Sequence, residues 1–74
     1  MSEPGSSCFE VTVNGERREV ASGSSVADLV TSMGFRLQQV AVERNKAIVR
    51  RDDHAATALE PGDQLEVVTF FGGG

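Results

Sequence analysis

Three consecutive glycines, Gly72, Gly73 and Gly74, follow directly on the apolar run from Leu65 to Phe71. Glycine has no Cβ and adopts almost any backbone conformation, and three extended residues span about 10 Å. Such a segment can thread a narrow channel and present a terminal carboxylate inside another protein. A carboxylate is a poor electrophile, because its charge repels nucleophiles and oxide leaves badly. Activation, for example as an acyl-adenylate made from ATP, turns its carbonyl into an acceptor for sulfur, nitrogen or a thiol. The chemistry expected of Gly74 is therefore that of a presented substrate group, with Gly72 and Gly73 as its unhindered stem. No intrinsic catalytic residue is expected; the partner supplies the catalysis. The plain alternative is a glycine-rich end without a role, and the absence of any spacer after an apolar strand weighs against it.

The remaining chemical groups are sparse. Cys8 is the one cysteine, so no internal disulfide forms. A thiol in a sulfur relay is conceivable there, but no Lys, Arg or His adjoins it to favour the thiolate, and a plain residue opening a strand is expected. His54 has no second His or Cys with which to complete a metal site, and a surface histidine on a polar turn is expected. Arg17-Arg18 and Arg50-Arg51 read as solvated pairs, with docking onto an acidic partner as the alternative. Asp52-Asp53 read as caps of a short turn; a metal role needs more oxygen ligands. No metal site is expected.

A chain of 74 residues makes one small domain with a thin core, which favours a carrier or binding module over an enzyme with an enclosed active site. Hydrophobic residues make up 39% and charged residues 24%, with a formal net charge of -4. The acidic balance argues against nucleic-acid binding and suits docking onto a basic surface. No apolar run approaches the length of a membrane span, and the first residues lack a signal-peptide pattern. A cytoplasmic protein is the resulting expectation.

The elements that must position the glycines follow from periodicity. Residues 1–7 read as a flexible lead-in, 8–71 as the folded domain and 72–74 as a glycine tail. Phe9, Val11 and Val13 alternate with polar residues, which predicts a strand. Asn14-Gly15 suits a type I′ hairpin turn, and Arg17 to Ala21 is a polar return strand. Val26, Leu29, Val30 and Met33 make one apolar helix face. Ser25 and Asp28 are placed as a near capping box, and Gly34 closes the helix. Phe35 and Leu37 tuck the next loop onto the core. Val40 and Val42 start a third strand, and Asn45-Lys46 a second tight turn into Ala47 to Val49, with Lys46 an awkward residue for positive φ. Leu59 anchors the following segment and Pro61-Gly62 has the order of a type II turn.

The final strand, Leu65 to Phe71, is apolar on both faces, so it is central in a sheet or meets a partner. Strands, helix, strands and a returning last strand beside the first give an α+β, β-grasp arrangement: a mixed sheet of four to five strands packed on one main helix. Val68 and Phe70 share the second face. Uncovered, they and Phe71 form an apolar docking patch beside the tail; covered, they are core. Both readings stay open.

Five segments, Val13-Asn14-Gly15-Glu16, Ser25-Val26-Ala27-Asp28-Leu29-Val30, Val40-Ala41-Val42-Glu43-Arg44-Asn45, Pro61-Gly62-Asp63 and Val67-Val68-Thr69-Phe70-Phe71-Gly72-Gly73-Gly74, together resemble the thiamine-biosynthesis sulfur carriers of the ThiS family, which are ubiquitin-like β-grasp proteins. The likeness covers nearly everything after Ser7. It implies that the Gly74 carboxylate is adenylated with ATP by a ubiquitin-activating-like, ThiF-type adenylyltransferase. Sulfur from a cysteine desulfurase relay then makes it a thiocarboxylate, and a ThiG-type thiazole synthase takes that sulfur for the thiazole of thiamine. No cofactor is bound by the carrier itself. The alternatives are sulfur carriage for molybdopterin or another metabolite, a ubiquitin-like modifier joined to target lysines, and a non-covalent interaction module. The departures are Lys46, where the family often has Gly, and Asp52-Asp53-His54, where it often has Ser, Glu and an aromatic residue.

Overall fold

The structure is a computed structural model that describes residues 7–70. Strands β1 (Cys8–Val13) and β2 (Glu16–Ala21) form the first hairpin, helix α1 (Val26–Ser32) follows, β3 (Val40–Arg44) and β4 (Ala47–Val49) form a second hairpin, and β5 (Gln64–Thr69) returns to the sheet. The strand order is β2-β1-β5-β3-β4. β1 and β5 run parallel, with Thr12 opposite Gln64, and the other neighbours are antiparallel. The parallel pair at the centre needs a long crossover, and α1 with the second hairpin supplies it. This is the ubiquitin-like β-grasp arrangement expected from the order of elements.

Both hairpin turns form as read. Asn14 and Gly15 have φ of 52° and 85°, and Asn45 and Lys46 have φ of 53° and 73°. Lys46 thus adopts the left-handed conformation despite its side chain. Helix α1 starts with a full capping box: Ser25 Oγ accepts from Asp28 N–H at 3.1 Å, and Asp28 Oδ2 accepts from Ser25 N–H at 2.9 Å. It ends one residue before the expected Met33, which becomes the C-cap, and Gly34 follows at φ 91°.

The apolar stripe of α1 lies on one face of the sheet. Val26, Leu29 and Val30 meet Val11 and Val13 of β1, Val40 and Val42 of β3, Leu65 and Val67 of β5, and the expected anchor Leu59. Phe35 and Leu37 pack against this core from the loop after the helix. Fully burying one side chain such as Leu29 contributes about 1.5–3 kcal/mol, so a core this small depends on each of them.

Two expectations fail. Asp52 and Asp53 do not cap their short turn: they lie inside it, its N-cap is Arg50, and it has no side-chain cap hydrogen bond. His54 is not on the surface: it is 1% exposed and among the largest fully buried side chains. The polar stretch around it forms a short 3-10 turn, Arg51–Asp53, and then crosses the start of α1. There Ala27 N–H donates to the His54 carbonyl at 3.0 Å and Val26 N–H to the Thr57 carbonyl at 2.9 Å. These bonds fold the ring inward, where Nε2 lies 3.1 Å from the Val49 carbonyl and Nδ1 has no partner. Since the carbonyl only accepts, Nε2 carries the proton. Among the described residues no helix is long and apolar enough to cross a membrane.

Candidate functional site

The strand that leads toward the glycines is held along both edges. Its entry is the turn Glu60–Asp63, where Asp63 N–H donates to the Glu60 carbonyl at 3.1 Å and Gly62 takes φ 82°. Asp63 is 5% exposed, and its carboxylate gathers three donors: Arg44 Nε at 2.8 Å, Asn45 Nδ2 at 3.1 Å and the Glu60 N–H at 2.8 Å. Burial pushes its carboxyl pKa up, but the hydrogen bonds from Arg44, Glu60 and Asn45, with the Arg44 charge, outweigh that and hold it below the usual value. Arg44 is raised in turn, first by the hydrogen bond to Asp63.

Asn45 and Asn14, the leading residues of the two hairpin turns, both reach β5. Asn45 N–H donates to the Gln64 carbonyl at 2.7 Å and its Oδ1 accepts from Gln64 N–H at 2.9 Å. Asn14 Oδ1 accepts from Val67 N–H at 2.9 Å, and its Nδ2 donates to the Val67 carbonyl at 3.1 Å. Beyond the strand end, Phe70 N–H donates to the Gln39 carbonyl at 2.7 Å. In the sequence both asparagines read only as turn formers and Asp63 only as part of a turn motif. Their side-chain partners lie up to 53 residues away, and no local pattern announces them.

Val68 is 55% exposed and Phe70 51%. Val68 sits opposite Ala41, on the face of the sheet away from α1, and strand alternation carries Phe70 to the same side. Ile48, 72% exposed, lies opposite Glu43, which in turn lies opposite Glu66, so the same face carries a carboxylate fringe. The other named docking residue, Phe71, and the glycines Gly72, Gly73 and Gly74 lie outside the described residues. β5 itself is described as Gln64–Thr69. Cys8 is exposed at the start of β1. Among the described residues no three His, Cys, Asp or Glu side chains come together as a metal site.

Fold and strand arrangement together define a ubiquitin-like β-grasp domain whose central strand is the last among the described residues. Comparison with known proteins adds the family. Residues 11–74 match the model of the ThiS family. The crystal structure of the thiamine biosynthesis protein ThiS from Geobacter metallireducens superposes with a TM-score of 0.74 at 32% identity, covering 89% of this chain and 100% of that one. Over 66 residues, 89% of the chain, it is 43% identical to a thiazole synthase of Magnetococcus marinus and 40% identical to one of Paramagnetospirillum magneticum. The chain spans 20% of the length of each of these two synthases. It belongs to the ThiS family.

Proposed function

We propose that this domain carries sulfur on the carboxylate of Gly74 and delivers it to a thiazole synthase. An oxygen of that carboxylate attacks the α-phosphorus of ATP in the pocket of a ThiF-type adenylyltransferase, pyrophosphate leaves, and an acyl-adenylate results. A persulfide supplied by a cysteine desulfurase relay then displaces AMP to give an acyl disulfide, and a thiol attacks the relay-side sulfur, releasing the thiocarboxylate and leaving a disulfide behind. The domain is a co-substrate in this scheme: ATP is bound by the activating partner, and no side chain of the domain takes part in the bond changes.

The observation that carries the reading is the central strand, anchored on the β1 side as far as Val67 and on the β3 side as far as Phe70 and continuing in sequence into Phe71, Gly72, Gly73 and Gly74. A rigid platform followed by residues without side chains is what delivery of an acyl group into a narrow pocket needs, since positioning the reacting carbon is a large part of the rate enhancement. The two relatives that are thiazole synthases favour the thiazole branch over molybdopterin. The exposed Val68 and Phe70 fit a docking patch for the enzymes that receive the tail.

Reconstitution tests the proposal. With adenylyltransferase, sulfur source and thiazole synthase present, the full chain supports thiazole formation. Deleting Gly74, or adding one residue after it, abolishes formation while the domain stays folded by circular dichroism. Thiazole formation by the truncated chain at the rate of the full one contradicts it.

A further inference from the structure

Asn14 stands where β1 turns away from β5. Up to that point the parallel ladder is made by backbone groups: Thr12 N–H donates to the Asp63 carbonyl at 2.9 Å and Asn14 N–H to the Leu65 carbonyl at 2.9 Å. The next rung of a parallel ladder joins the Val67 N–H to the carbonyl of residue 14 and the Val67 carbonyl to the N–H of residue 16. The chain has instead entered the hairpin, where Glu16 lies opposite Val13. The side-chain amide of Asn14 takes both places, accepting from Val67 N–H at 2.9 Å and donating to the Val67 carbonyl at 3.1 Å. It acts as a substitute peptide group that extends the ladder one rung beyond the strand that ended.

Among the described residues this is the last hydrogen bond on the β1 side of β5. On the β3 side the pairing runs on, with Val68 opposite Ala41 and Phe70 N–H on the Gln39 carbonyl at 2.7 Å. We propose that Asn14 is the residue that fixes the direction of β5 where its pairing with β1 ends at Val67, and that the activating enzyme reads this end of the strand. The proposal rests on the carrier reading above. Residue type fits the task. Asparagine tolerates the left-handed φ of 52°, and its amide carries a donor and an acceptor side by side. Aspartate keeps only the acceptor and glycine keeps neither.

Asn14→Gly tests it without backbone strain, because glycine takes a left-handed φ freely. Hydrogen exchange and activation kinetics are read together on the full chain. The Val67 amide is expected to exchange about tenfold faster, while the amides of Val11 and Val42 keep their wild-type rates. The KM for the carrier in adenylation rises about tenfold with kcat within about twofold. Asn14→Asp falls between wild type and Asn14→Gly in both readouts, and carries the test if the glycine variant fails to fold. Unchanged Val67 exchange with unchanged KM overturns the proposal. So does uniformly faster exchange across the domain, which makes Asn14 a residue of fold stability only. If the wild-type chain is itself not adenylated, the carrier reading fails, and the exchange data still decide whether Asn14 holds the strand.

Discussion

Arg44 Nε lies 2.8 Å from Asp63 Oδ2, an ion pair with one partner nearly sealed from solvent and the other only partly covered. It ties the end of β3 to the turn that starts β5. Asp63→Ala leaves the Glu60 N–H and the Asn45 amide without their acceptor, and is expected to cost about 2–4 kcal/mol by urea unfolding. The pH dependence follows from the sign of the shift. The Asp63 carboxyl is held below its ordinary value in the folded state, so the unfolded chain takes up its proton first as pH falls. The stabilisation is fully present above the unfolded value of about 3.9 and is lost as pH drops through the lower folded value. Asp63→Asn is less stable than wild type at neutral pH and shows a shallower loss of stability below pH about 4. Parallel acid-unfolding curves for the two proteins contradict this.

Lys46 holds φ 73° next to Asn45 at 53°, the same pair of conformations that Gly15 and Asn14 adopt in the first hairpin. A residue with a Cβ pays about 1–2 kcal/mol there, partly offset because glycine loses more entropy on folding. Lys46→Gly is expected to raise stability by about 0.5–1 kcal/mol, seen as a higher urea midpoint with an unchanged slope. A lower midpoint shows that the lysine side chain stabilises the turn by more than its strain costs.

Phe70 and Val68 are exposed beside the end of β5, so polar replacement there leaves the core intact. Phe70→Asp and Val68→Asp are each expected to change stability by no more than about 0.5 kcal/mol. Affinity for the adenylyltransferase falls about tenfold or more, as expected for loss of an apolar anchor from a docking patch. Titration of the two folded variants is the check, and wild-type affinity refutes a docking role for this face.

Much of this architecture is legible from local signals. Asn14-Gly15 and the Ser25/Asp28 capping box place the first hairpin and the helix, because turn and cap chemistry act over a few residues. The two-sided apolar character of Val67, Val68 and Phe70 predicts a last strand that is central or meets a partner, and the structure puts β5 between β1 and β3. What escaped is long-range. His54 reads as a surface residue because its neighbours Arg51, Asp52 and Asp53 are polar and exposed; only the docking of that segment onto the start of α1 buries it. Asp63 meets Arg44 across 19 residues and Asn14 meets Val67 across 53, and pairings of that reach leave no period in the sequence. The sequence leaves the exposure of Val68 and Phe70 open for a related reason: two-sided apolarity marks a strand with both faces in use and does not say whether a neighbouring element or a partner covers the second.

The most direct measurement is the intact mass of the full chain after incubation with ATP, a ThiF-type adenylyltransferase, a desulfurase sulfur source and a thiol reductant. Replacement of a single oxygen by sulfur is expected, localised by fragmentation to Gly74 and dependent on ATP. An unaltered mass under these conditions contradicts sulfur carriage on Gly74, and conjugates of higher mass joined through Gly74 to lysines of other proteins identify a modifier instead.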